Sequence, residues 1–337
     1  MPQLETLIHN KGNAATGGVW RVPGEGVLKV ARPPSLPPLH PVTWPTSDDP
    51  AHWNYWQREV LAYRSGFAAS AYADAGIVPP ALLRTVDRTD GEIELWLADM
   101  PGAPGMSWPV SRLAAFARQL GRAQAPFADR VPDLPWLSRH WLAQYLEHGP
   151  STSVRLSPDE PWTHPLWPAD ALEKLRAVWV ARPALIARCE AVPRTLCHLD
   201  VWPNNLIEDG STSVLLDWAF AGDGGIGEDP ANLIIDSVTD GLMDHTVLPA
   251  LAEAVITEYA GGLRDGGWTG SADDVRRWIM LFGVTKYSWF APALLGRMKR
   301  DGTLGQQTYG KDTTGDSAML RLQGLIRMLG DWAAAVL

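Results

Sequence analysis

A chain of 337 residues with 46% apolar and 20% charged residues is too long for one small core and too apolar for disorder, so it implies two packed lobes or domains. Its 29 Lys and Arg against 38 Asp and Glu leave a net charge of −9, which argues against general affinity for nucleic acid or an anionic membrane, since both need cationic surface. Two cysteines, Cys189 and Cys197, cannot build a disulfide framework, no stretch approaches the roughly 20 apolar residues of a membrane span, and the opening residues lack a secretory leader pattern, so a reducing cytoplasm is expected.

The first hundred residues read as strands. "NKGNAATGG" (10–18) is rich in glycine and small residues. "VWRV" (19–22) and "GVLKVA" (26–31) form a hairpin around "PGEG". Residues 31–50 hold seven prolines and predict an exposed, partly polyproline-II insertion. A helix is expected over 51–67, then strands over 78–88 and 91–100. "PGAPG" (101–105) marks the lobe boundary. Helices then dominate. One is expected over 110–125 and another over 168–191, interrupted or kinked at Pro183. Strand pattern returns between 196 and 217 as "TLCHLD", "NLIED" and "VLLDW". Further helices are expected at about 230–242, 246–261, 272–283 and 315–337. The predicted fold is α+β, with a β-rich lobe over 1–98 and a mainly helical lobe over 99–337.

The hairpin in 196–217 carries the chemistry. Its turn brings Asn205 close to Asp217, and an amide oxygen beside a carboxylate makes a hard-oxygen site for Mg²⁺. Asp200, a few residues before Asn205, is placed to orient a hydroxyl and accept its proton. Metal neutralisation, positioning and a base are the parts that phosphoryl transfer needs. Far upstream, Lys29 lies inside an apolar strand and is the sole lysine between residues 12 and 172. A nucleotide kinase needs such a lysine to pair the phosphates, with a helical glutamate to hold it; Glu59 is the candidate despite a separation of 30 positions, with Glu25 and the pair Asp48–Asp49 as alternatives that lie on no convincing helix.

"HLDVWPNN" resembles the His-x-Asp-x-x-x-x-Asn loop of the aminoglycoside phosphotransferase family, the small-molecule kinases related to choline kinases and, more distantly, to protein kinases. "LLDW" is similar to that family's metal-binding Asp. The resemblance implies a two-lobed, protein-kinase-like fold. It implies that Asp200 is the catalytic aspartate, that Asn205 and Asp217 hold Mg²⁺, and that His198 supports the loop without reacting. "GEDPANL" (227–233) resembles the Asp-Pro segment that follows, with Asp229 as a structural, helix-capping carboxylate. On the same resemblance, Gly17 and Gly18 would cover the phosphates. Backbone groups of Leu97, Ala98, Asp99 and Met100 would meet the adenine edge, with Leu206 and Leu216 as its apolar faces. The cofactors expected are ATP, with GTP open, and Mg²⁺.

The acceptor is read from charge. Residues 195–263 contain no Lys or Arg and twelve acids, which would attract a cationic molecule. An amine-bearing acceptor is therefore expected, such as an aminoglycoside or another natural-product antibiotic, held by Asp223, Asp236 and Asp240, with Tyr287 and Trp289 as a further wall. A metabolic kinase for an amino alcohol, sugar or nucleoside is the alternative. A non-catalytic pseudokinase is disfavoured because Lys29, Asp200, Asn205 and Asp217 are all present. "GQQTYGKD" (305–312) approaches a P-loop but ends in Asp312, which repels phosphate. Neither nucleic acid nor membrane is an expected partner, and the chain is expected to be a monomer or homodimer.

Overall fold

Leu28 and Val30 alternate with Lys29 in "GVLKVA", and a two-residue period sends alternate side chains to opposite faces of a sheet. The computed structural model describes residues 4–157, 159–210, 212–239, 241, 243–302 and 315–337. Its first part comprises β1 (Glu5–Thr6), β2 (Thr16–Val22), β3 (Gly26–Ala31), the short helices α1 (Arg58–Arg64) and α2 (Phe67–Ala71), then β4 (Ile77–Val78), β5 (Leu82–Asp87) and β6 (Ile93–Leu97). Five of these strands make an antiparallel sheet in the order β1-β2-β3-β6-β5. Leu28 and Val30 join Val22 and Trp96 in a small core on one face, so Lys29 points to the other.

The second part runs through β7 (Ala103–Pro104), α3 (Val110–Gln124), α4 (Trp141–His148), α5 (Ala169–Glu190), β8 (Arg194–Cys197), β9 (Leu206–Asp209), β10 (Thr212–Leu215), β11 (Gly222–Gly225), α6 (Glu228–Thr239), α7 (Leu248–Asp265), α8 (Ala272–Lys286), α9 (Phe290–Asp301) and α10 (Gly315–Val336). The fold class is α+β. β9 and β10 form the expected hairpin, with Leu206 opposite Leu215. β7 pairs with β9 on one side, and β4 adds to β10 in parallel on the other. A strand from the first hundred residues thus completes a sheet of the second lobe. Helices α3 and α7 cross closely because a Cβ on Gly262 would lie 2.0 Å from the Arg118 carbonyl oxygen. Cys189 and Cys197 are free and buried. Among the described residues no helix is long and apolar enough to cross a membrane.

The structure departs from the sequence reading at several places, among them helix α9 and strand β11, neither of which is among the predicted elements. The helix expected over 51–67 begins only at Arg58, because Pro50, His52 and Trp53 turn their carbonyls onto the Arg58 guanidinium and cannot also bond along a helix. Helix α5 continues through Pro183, an exposed position where an interruption or kink was expected. The proline-rich insertion is not wholly exposed. The Thr43 and Trp44 N–H groups both donate to Gly12 (3.1 Å each), Ala14 donates back to Trp44, and the Trp44 ring packs on Trp53, Tyr145 and Phe220. Helix α4 has too few turns for its periodicity to stand out in sequence, yet it buries Trp141, Leu142, Tyr145 and Leu146.

Candidate active site

The loop after β8 begins at a backbone conformation that leucine rarely adopts, with Leu199 at φ 68°. Such a position persists only when its surroundings over-determine it. Asp229, in the first turn of α6, accepts the N–H of His198 (2.8 Å) and of Leu199 (2.7 Å). Gln124 donates to the same carboxylate, and Asn232 donates to the Leu199 carbonyl. Asp229 is structural, as expected, but it anchors this loop and does more than cap a helix. Burial, opposed by these donors, pushes its carboxyl up to about 6. Asp229→Ala leaves two buried N–H groups without an acceptor, so a loss of about 2–6 kcal/mol is expected at roughly 1–3 kcal/mol each. Faster hydrogen exchange at residues 198 and 199 is the measurement that checks it.

His198 is fully buried, and burial pushes its imidazole down to about 4, so it is neutral at pH 7. Its ring meets Trp218 edge-on at 5.1 Å, and its nitrogens complete no hydrogen bond among the described residues. The ring packs the loop without serving as a base.

Asn205 ends the loop. Its amide N–H donates to the Asp200 carboxylate (2.8 Å) and to the Asp200 carbonyl (3.0 Å), which leaves its Oδ1 free of these bonds. The Leu216 N–H donates to the Asn205 carbonyl, so the residue after Leu216, Asp217, lies beside Asn205. Asp217 also has positive φ, 60°, which turns it out of β10. One of its oxygens accepts Lys29 at 2.7 Å, and Lys29 also pairs with Glu59 at 2.5 Å. The insertion between Lys29 and Glu59 folds back on itself, and the two side chains meet across it. Burial, and then the Asp217 charge, push Asp200 up to about 7. Burial alone would raise Asp217 as well, but the Lys29 ammonium outweighs it and holds Asp217 below the usual carboxylate range.

The donor set suits Mg²⁺ only in part. No group of three His, Cys, Asp or Glu side chains able to hold a metal occurs among the described residues. The Asn205 amide oxygen and the second Asp217 oxygen are two hard ligands, the number that Mg²⁺ takes from protein when phosphate and water supply the rest.

These groups open into a cavity of about 1040 Å³ between the lobes. Lys29, Glu59, Leu97, Ala98, Asp99, Met100, Asp200, Asn205, Leu216 and Asp217 all line it. The Ala98 N–H is taken by Ala81 at 2.8 Å, whereas the Met100 N–H makes no hydrogen bond among the described residues. Three expected lining residues do not reach the cavity. Leu206 points the other way, because strand alternation sends it to the core beside Gly105 and its neighbour Ile207 to the cavity. Gly17 and Gly18 sit in the β2 bulge, packed on Val30 and Trp20, and Asn10, Asn13 and Thr16 form the lip instead.

The acidic segment disperses. Asp223 pairs with Arg194 at 2.8 Å and with Arg139, outside the cavity. Glu253 and Glu258 pair with Arg276 and Arg118. Asp240 and the P-loop-like residues 305–312 lie outside the described residues. Asp236 does line the cavity, where it accepts the hydroxyls of Tyr287 and Thr239. Tyr287 and Trp289 line it too. The sequence reading missed Trp44 and Lys286, both of which line the same space. It also missed Arg58. That side chain is fully buried and donates to five carbonyls: Trp136 (2.8 Å), Trp53 (2.9 Å), Ala219 (3.1 Å), Pro50 (3.1 Å) and His52 (2.7 Å). Ala219 follows Asp217 by two residues, and Glu59 follows Arg58, so one guanidinium ties together the two strands of chain that grip Lys29.

The model of a phosphotransferase enzyme family, APH, matches residues 39–269. No curated protein matches the sequence. Among solved structures, a choline/ethanolamine kinase family protein from Mesorhizobium loti is 17% identical with TM-score 0.53, over 99% of this chain and 92% of its own. Amicoumacin kinase, solved with AMP-PNP, Ca²⁺ and Ami, is 13% identical with TM-score 0.55, over 99% and 88%. Wild-type aminoglycoside 2'-phosphotransferase-IIIa, solved with GDP, is 15% identical with TM-score 0.51, over 100% and 94%. At these identities the likeness establishes a shared two-lobed, kinase-like fold.

Proposed function

The chain belongs to the phosphotransferase enzyme family, and from that premise we propose that it transfers the γ-phosphoryl group of ATP to a hydroxyl of a small molecule. The observation that carries the reading is one constellation: Lys29 held between Glu59 and Asp217, facing a loop in which Asn205 fixes the Asp200 carboxylate. Lys29 pairs the phosphates of the nucleotide, and Glu59 keeps the ammonium in place when Asp217 is drawn to other work. The free Met100 N–H suits an acceptor atom on the purine edge. Asp200 receives the hydrogen bond of the acceptor hydroxyl and takes its proton as that oxygen bonds to the γ-phosphorus and the bond to the β-phosphate oxygen breaks, releasing ADP. Asn205 and Asp217 would hold Mg²⁺, which supplies neutralisation of the phosphate charge.

The acceptor enters from the helical side of the cavity, between α4, α6 and α8. Of the similar structures, one is named for aminoglycosides and another for amicoumacin, which supports including such molecules beside amino alcohols and sugars in the screen.

Titration with AMP-PNP, and with a guanine analogue beside it, tests the nucleotide part. Mg²⁺-dependent binding is expected, weakened at least about tenfold by Asp217→Asn, which keeps the shape and removes the charge. An acceptor library read by the mass gain of one phosphoryl group tests the rest. A protein that binds neither nucleotide ends the proposal.

A further inference from the structure

We infer that the acceptor carries an oxyanion, a carboxylate or a phosphate, and that Lys286 receives it; the inference rests on the phosphotransferase reading above.

Lys286 is the last residue of α8 and is 5% exposed. Its Nζ lies 4.8 Å from the ring centre of Trp141, 5.5 Å from Tyr145 and 5.7 Å from Tyr287. It has no carboxylate oxygen within 4.0 Å and no hydrogen bond among the described residues. Aromatic faces attract a cation but accept none of its hydrogen bonds, and a buried ammonium without acceptors is costly. Its open side is the cavity that also holds Asp200. An oxyanion there would give Lys286 the charge-assisted bonds it lacks.

The carboxylates that feel the Lys286 charge, Asp200, Asp236, Glu228 and Asp229, take their hydrogen bonds from other donors. On the nucleotide side, Arg21 is paired with Asp99 and Glu5, and Lys29 with Glu59 and Asp217. The helical side is lined by Lys286 and by Arg155, which donates to the Thr152 and Val154 carbonyls, against Asp200 and Asp236. Those two carboxylates already accept bonds, Asp200 from Asn205 and Asp236 from Tyr287 and Thr239. An aromatic cage beside a carboxylate would suit a substrate amine. Here a residue of the chain already fills that cage, and its charge opposes a second cation.

The test uses the full chain with Mg²⁺ and ATP. The panel consists of hydroxy acids with their amides, sugar phosphates with their parent sugars, and amino alcohols. Phosphoryl transfer is read by mass, with AMP-PNP titration alongside. The expected result is a kcat/KM about tenfold or more higher for the charged member of an acid–amide or phosphate–sugar pair. The pair that shows it identifies the oxyanion. Lys286→Met is expected to bring that ratio to about one, and Lys286→Arg to restore it. A merely structural role would lower both members alike and leave the ratio standing, and that result overturns the inference. So does preference for amino alcohols or uncharged alcohols, or failure to phosphorylate any acid or phosphate, in a protein that binds AMP-PNP. Loss of AMP-PNP binding itself falls on the phosphotransferase reading instead.

Discussion

Asp200→Asn is expected to bind AMP-PNP as the parent does and to turn over about 10²–10⁴-fold more slowly, the usual loss when a general base is removed. The substitution keeps the volume of the side chain and an oxygen for the Asn205 amide, which donates to Asp200 at 2.8 Å. It removes the negative charge and, with it, the ability to take a proton. That ability is tuned by place: burial and the neighbouring Asp217 push the carboxyl up to about 7, near the pH at which a base both accepts and returns a proton. The checking measurement is kcat at saturating ATP and acceptor, beside the AMP-PNP titration. Wild-type turnover would remove Asp200 from the mechanism.

The second large effect concerns stability. Arg58→Ala should cost about 3–5 kcal/mol, because it strands buried carbonyls, each worth roughly 1–3 kcal/mol when left unsatisfied, and opens a cavity. The bonds to Trp136 and Trp53 are fully buried, and those to Ala219, Pro50 and His52 partly so. Lysine should recover only part of the loss, since an ammonium has three donors on a point and cannot reproduce the planar fork. Denaturant unfolding at equilibrium measures both variants. A change under about 1 kcal/mol for Arg58→Ala would show that the carbonyls find water instead.

How much of this was legible in sequence depends on the range of each interaction. Lys29 was, because a lone lysine in an apolar strand has a two-residue period to fix its face. The Asp200–Asn205 loop and Asp217 were, because a short hairpin joins them and its register follows from local pattern. Glu59 was harder, since 30 positions say nothing of distance once an insertion folds back onto Gly12. Leu206 was placed on the wrong face by one residue, which in a strand inverts the side chain. The acidic run showed its sign but not its partners: Arg118, Arg139, Arg194 and Arg276 all lie outside it, and each neutralises a carboxylate that looked free. Lys286 carried no signal at all. A lysine in the last turn of a helix is ordinary, and the rings around it come from α4 and from the residue after it.

The parallel pairing of β4 with β10 has a consequence for how the chain is made. Ile77 and Val78 sit opposite Ser213 and Val214, so during synthesis the amino-terminal lobe leaves the ribosome long before the strand that completes its attachment exists. Vectorial folding lobe by lobe therefore stops short here. A fragment ending near residue 98 would present β4 as an unpaired edge, an opening for association between nascent copies. Only when the β9–β10 hairpin has emerged can β4 be paired.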